Sequence, residues 1–163
     1  MAIRRQATVG MVADTSLYNI DGACVTDSGF VRQVGTAVGV SSVVDGHKVL
    51  VAATAQNAYG VLVKSHYESP KGTYGGVVGD IDNYQVANVM THGRIWMLAN
   101  PAVVPVFGGQ VFLGSDGSVA ASGIATNWTF AGGSQPADSV SGEPALVEVQ
   151  ITQRTGPYVA NTP

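Results

Sequence analysis

The feature that most constrains this chain is a long apolar run, Val86 to Leu98, interrupted at Thr91-His92-Gly93-Arg94. A glycine inside a strand pattern marks a bulge or a close backbone approach, because it relaxes the ladder at least cost. The run therefore predicts one long strand bent at Gly93; a tight turn at His92-Gly93 is the alternative. Pro101 and Pro105 keep the following segment out of any central strand and off a helix. After Gly108-Gly109, Gln110–Leu113 and Ser118–Ala120 flank Ser115-Asp116-Gly117. Asp-Gly between alternating apolar residues predicts a hairpin, since glycine supplies the positive φ that the turn needs.

The rest of the chain supports the same class. Valine outnumbers leucine 26 to 6, beside 21 glycines. Valine packs well on a pleated surface and loses rotamer freedom in a helix, so the balance predicts an all-β protein. The 163 residues suit one domain with one sizeable core. Charged residues make up 12%, against about 25% in an ordinary soluble domain. A free monomer keeps a charged, patch-free surface. So poorly charged a chain has its exterior either covered in an assembly or built of neutral polar residues; the first is the expectation taken forward.

Several partner classes are disfavoured. The net charge is −3 and Arg4-Arg5 is the longest basic run, so nucleic acid is not expected as a partner. No apolar run reaches 18 residues, so no helix is expected to span a membrane. The single Cys24 allows no internal disulfide and fits a reducing compartment. The start, MAIRRQATVGMVAD, lacks the apolar core of a signal peptide, so synthesis in a cytoplasm without a cleaved leader is expected.

Along the chain, Gln6–Val12 could form a strand, but Asp14, Asn19, Asp21-Gly22 and Asp27-Ser28-Gly29 read as turn formers. Residues 1–29 are therefore expected to be an extended N-terminal arm, and deletion of residues 2–12 to leave the domain folded. Phe30–Val44 predicts one strand or two short ones. Asp45-Gly46 turns the chain into a strand at Lys48–Ala52, and Ala53–Ala58 could tolerate a helical turn. Tyr59–His66 reads as a strand, Glu68–Gly79 as a glycine-rich loop and Asn127–Ala131 as a strand. Gly132–Gly142 reads as a polar loop. Ala145–Ile151 alternates as a strand. About nine strands at this spacing predict a small antiparallel β-barrel or a sandwich over residues 30–152. Residues 153–163 are expected to be a C-terminal tail.

Catalytic and metal signatures are missing. His47, His66 and His92 are scattered, and neither CxxC nor HxxxH occurs, so no metal or cofactor is expected. Asp80-Ile-Asp82-Asn83 starts like a calcium loop but lacks its glycine and distant glutamate. No G-x-S-x-G elbow exists, and no helix follows Gly75-Gly76-Val-Val-Gly79 to receive a phosphate. No catalytic residue is therefore assigned. What remains are the aromatic and arginine residues that dominate interfaces: Tyr74, Arg94, Trp96, Trp128 and Tyr158, with both tryptophans also readable as core.

The order of these segments resembles the capsid decoration, or structural cement, proteins of tailed bacteriophages. The resemblance lies in an irregular N-terminal arm, then Tyr59-Gly-Val-Leu-Val-Lys-Ser-His66 with Glu68-Ser-Pro70. The Val86–Leu98 run with Gly93-Arg94-Ile95-Trp96 follows, then the Gln110–Val119 hairpin and Ala145–Ile151. It covers most of residues 30–152. It implies a β-barrel or jelly-roll-like sandwich on the outside of a capsid, tying neighbouring major capsid subunits together. It also implies a homodimer or homotrimer at the symmetry axes, located in the virion after synthesis in the host bacterium. Arms and tails are expected to reach the partner, with Arg4, Arg5 and Arg154 against acidic groups and Tyr158 as an anchor. A β-sandwich carbohydrate-binding module of a phage tail or secreted protein is the alternative.

Overall fold

The computed structural model describes residues 7–27, 32–55, 57–64, 80–81 and 86–153. Among them are eleven strands and no helix: β1 (Val12–Thr26), β2 (Arg32–Gln33), β3 (Ala37–Val44), β4 (His47–Ala52), β5 (Ala58–Leu62), β6 (Asp80–Ile81), β7 (Val86–Leu98), β8 (Gln110–Leu113), β9 (Val119–Ala120), β10 (Ile124–Gln135) and β11 (Leu146–Ile151). The all-β class expected from valine and glycine usage is what the structure shows.

Nine strands share one sheet in the order β1-β4-β3-β5-β7-β11-β10-β8-β9, while β2 pairs with β6. Strand β1 also pairs with β7, so β1-β4-β3-β5-β7 make a closed circuit of five strands. From β7 the sheet continues as a four-stranded wing, β11-β10-β8-β9. The sheet is mixed, not purely antiparallel, because β1 runs parallel to β4 through Cys24↔Lys48, Val25↔Val49 and Thr26↔Leu50. Cys24 also faces Ala87 of β7. This short parallel contact closes the circuit.

Strand β7 belongs to both halves because its faces exchange midway. Before the centre, Ala87 and Val89 pack in the core inside the circuit, with Cys24, Leu50 and Leu62. Met90 faces a second core, shared with the wing through Val111, Trp128 and Val149. Beyond Gly93 the parity is reversed: Trp96 and Leu98 face the first core, Ile95 and Met97 the second. Side chains alternate with period two, so such a reversal needs one extra residue. It is found at Thr91: Ile20 faces Met90 and Asn19 faces His92, one step on β1 against two on β7. Thr91 is buried, and its Oγ1 accepts a hydrogen bond of 2.9 Å from Asn19 Nδ2. The strand is thus continuous, as predicted, with Gly93 at φ 120° where β1 passes close by. A Cβ on Gly93 would lie 2.7 Å from Tyr18 Cβ.

The expected N-terminal arm is corrected over residues 7–27. Ala7 and Val9 are buried in the first core, and Val12–Thr26 is the strand that closes the circuit. A protein lacking residues 2–12 would lose part of that core, which reverses the expectation that they are dispensable for folding. The turn formers do act locally. Asp14 Oδ1 accepts from Ser16 N at 2.8 Å and Asp21 Oδ1 from Ala23 N at 2.9 Å. The result is a strand with register shifts against β7, not a chain of free turns.

Other local readings hold or shift in length. Asp45 and Gly46 both take positive φ, 49° and 82°, in the turn between β3 and β4. Thr54 O accepts from Ala58 N at 3.0 Å, a single turn in the stretch that could tolerate one. The β8–β9 hairpin pairs Leu113 with Val119 around Gly117 at φ 81°. Strand β10 is longer than predicted and takes in Gly132–Gln135, which had read as loop. The glycine-rich loop Glu68–Gly79 and the tail beyond Gln153 lie outside the described residues.

Candidate interaction surfaces

From Ile95 to Ala137 the chain carries a single charge, Asp116. This segment builds the end of β7, the connection to β8, and strands β8 to β10. Pro101 and Pro105 hold the connection out of the ladder. Backbone bonds then tie its end to β10: Gly108 N to Phe130 O at 2.9 Å and Phe130 N to Gly109 O at 2.9 Å. Gly109 N also donates to Val106 O at 2.8 Å. Held this way, the connection packs Val103 against the second core and leaves its other large apolar side chains outside. Val104 is 82% exposed, Val106 66% and Phe107 77%. Beside them a groove of about 380 Å³ is lined by Val103, Val104, Val106, Phe112, Ala120 and Phe130 among others.

A second apolar surface lies at the end of the closed circuit. Val25, Val44, Val49 and Val86 line a groove of about 510 Å³, together with Thr26, Asp27, Asp45 and His47. The β3–β4 turn projects here, with Val43 and Val44 exposed. Unlike the groove beside Val104 and Val106, whose lining is uncharged, this surface carries carboxylates and no lysine or arginine.

Polar contacts lock β1 to its neighbours. Lys48 Nζ of β4 lies 2.8 Å from Asp21 Oδ2 of β1, and the Tyr59 hydroxyl of β5 donates to the same oxygen. Burial raises the pKa of Asp21. The hydrogen bonds from Lys48, Tyr59 and the Ala23 N–H outweigh burial and hold the carboxyl below its ordinary range. Cys24 is fully buried nearby. Burial, and secondarily the Asp21 charge, pushes its thiol up to about 12. Such a thiol is not a nucleophile at neutral pH. Among the described residues no three His, Cys, Asp or Glu side chains gather closely enough to hold a metal ion.

The sequence-selected interface residues fare unequally. Arg94 is partly exposed on β7; its Nε donates to Gln150 Oε1 at 3.0 Å and its Nη1 lies 4.0 Å from Asp14 Oδ2. Trp96 and Trp128 are only 7% and 2% exposed and sit in different cores. They are corrected to packing residues. The Trp96 ring lies against Gly133, where a Cβ would collide with it, and Trp128 faces inward with Phe130 on the alternating pattern of β10. Arg4, Arg5, Tyr74, Arg154 and Tyr158 lie outside the described residues. The sequence reading missed Val104, Val106 and Phe107. Their signal is legible in Pro-Ala-Val-Val-Pro-Val-Phe-Gly-Gly: apolar residues beside two prolines and ahead of two glycines, which keep them from being buried as a strand.

Comparison with known proteins adds the family. The family described as structural cement protein (E217 gp24/Pam3 gp6) matches residues 2–152. No curated protein matches the chain. Among solved structures, a chain of the capsid of Myoviridae phage XM1 is similar with a TM-score of 0.56 and 16% identity, over 92% of this chain and 94% of that one. At that identity the likeness concerns the fold. Because the family match spans nearly all of the chain, closed circuit and wing together, this protein belongs to the structural cement protein family.

Proposed function

We propose that this chain binds the outer surface of a phage capsid and ties neighbouring major capsid protein subunits together, as a structural and not a catalytic component of the virion. It would be made in the host bacterial cytoplasm and retained on the particle. The observation that carries this reading is the segment Ile95–Ala137, which holds a single charge, with Val104, Val106 and Phe107 exposed on it. Exposed aromatic and aliphatic side chains without charges have the composition of an interface centre, and large exposed apolar patches mark interaction sites. The family and the capsid neighbour supply the partner class. Arg94, the terminal residues Arg4, Arg5 and Arg154 against acidic groups of the partner, and Tyr158 as an anchor are proposed as further contacts.

The test is co-sedimentation of the purified protein with capsids assembled without it, followed by heating of the particles. The proposal expects saturable binding and a higher disruption temperature for decorated particles. Absence of binding, or binding to glycans in its place, would sink it.

A further inference from the structure

Val86, Val25 and Val49 lie side by side across β7, β1 and β4, through the pairs Val25↔Val86 and Val25↔Val49. Their neighbours in sequence, Ala87, Cys24 and Leu50, face the first core. Side chains alternate along a strand, so the three valines stand on the outer face of the circuit. Val25 and Val49 are half-buried there, Val86 is 72% exposed, and Val44 in the same groove is 55% exposed. We infer that this outer valine row is a second docking site, which takes an extended, cationic, aliphatic segment of a capsid subunit. The identity of the partner rests on the proposed function; the chemistry of the site does not.

Charge selects the occupant. Asp27, two residues beyond Val25, and Asp45 of the β3–β4 turn are exposed and line the groove. Among the described residues that line it there is no lysine or arginine. Lys48 alternates to the other face of β4, where Asp21 lies 2.8 Å from it. The segments that follow Asp27 and precede Val86 in sequence, 28–31 and 82–85, contain no lysine or arginine either. A nucleic acid or an anionic lipid surface would meet carboxylates here and be repelled. A second copy docked face to face would set Asp27 and Asp45 against their own like. Lysine or arginine beside aliphatic side chains satisfies both the valines and the carboxylates.

Size selects the form. Neighbouring strands are about 4.8 Å apart, so three valines make a row of roughly 10 Å. Residues i and i+2 of an extended segment point to the same side about 7 Å apart, and both fit along the row. The long stems of flanking lysines then reach the carboxylates while covering apolar surface.

Position gives the site its use. Val86 opens β7, and the 101–109 connection leaves the other end of the same 13-residue strand. At about 3.3 Å per residue the two ends are up to about 40 Å apart. Two docking sites at that separation can hold two capsid subunits at once, which one site cannot.

The site is tested first on the free chain, by following the backbone amide resonances of Val25, Val49 and Val86. The peptide acetyl-Lys-Val-Thr-Val-Lys-amide should shift all three with a dissociation constant of about 1 mM, and acetyl-Glu-Val-Thr-Val-Glu-amide should not. Asp45→Asn keeps the positive-φ turn, which asparagine tolerates, and should weaken the lysine peptide about threefold. Val86→Ser should weaken it about tenfold. In capsid co-sedimentation both variants should still bind through the 101–109 face, but lose most of the rise in disruption temperature that the native protein gives. Equal shifts by both peptides, no shift by either, or variants that stabilise capsids as the native protein does overturn the inference. So do row resonances that move with protein concentration alone, which assign the row to a second copy. Nuclear Overhauser contacts between the row and residues 28–31 overturn it too, by assigning the row to this chain's own segment. Lysine-peptide binding by a protein that no capsid takes up would uphold the cationic site while defeating the proposed function and removing the capsid as its source.

Discussion

Replacing Gly93 by alanine tests the role of the midpoint of β7. Gly93 has φ 120°, a conformation that L side chains rarely adopt, and holding a non-glycine residue in such a region costs about 1–3 kcal/mol. The new Cβ would also lie 2.7 Å from Tyr18 Cβ and 3.2 Å from Leu17 O. Overpacking of that kind costs about 1–3 kcal/mol where the surroundings are rigid. Here they give partly, because Thr15–Asn19 is an exposed stretch with shifted register against β7. The two effects together should remove about 2–4 kcal/mol, against a total stability of about 5–15 kcal/mol for a typical domain. For a chain of this length that is a fall of about 5–15 °C in melting temperature. The assay is thermal and chemical denaturation of Gly93→Ala beside the native protein. A melting temperature within about 2 °C of native would refute the argument that close passage of β1 requires glycine here.

Trp128→Ala should cost about 3–5 kcal/mol, because Trp128 is core and not contact surface; a melting temperature within about 3 °C of native would return it to the interface. Asp21→Asn should lower stability by about 1 kcal/mol at neutral pH, the order expected of a partly exposed ion pair. The folded Asp21 pKa lies below the ordinary 3.8, so its contribution is complete above about pH 4 and lost as pH falls through the lower folded value. The gap between native and Asp21→Asn melting temperatures should therefore shrink as the pH is taken down below the ordinary 3.8; a gap that is constant with pH would show that the charge is not involved. Cys24, with its thiol near 12 and no exposure, should resist a water-soluble disulfide reagent at pH 8 until denaturant is added; stoichiometric labelling of the native protein would contradict its place inside the circuit.

Much of this fold is legible in local sequence because local rules set it. Valine enrichment sets the class. Asp45-Gly46 and Asp116-Gly117 set two hairpins through the positive φ that glycine allows. Period-two alternation sets β11, and glycine within an apolar run announces the irregularity of β7. Other features are decided by distant pairing, which leaves no local signature. Asp14, Asn19 and Asp21 read as turn formers, and Asp14 and Asp21 do bond to their own backbone two residues on. Only the presence of β7 alongside makes that stretch a strand. Closure of the circuit rests on the parallel contact of Cys24–Thr26 with Lys48–Leu50, a pairing that neither segment specifies alone. The extra residue at Thr91 exchanges the faces of β7, and so decides that Trp96 is buried beside Gly133 while Arg94 reaches solvent. The candidate surface follows the same division: prolines predict that 101–109 leaves the sheet, but only the bonds to Phe130 decide that Val104, Val106 and Phe107 point outward. A chain encodes its turns and periodicity within a few residues; which apolar side chains stay uncovered is settled when strands far apart in sequence have taken their partners.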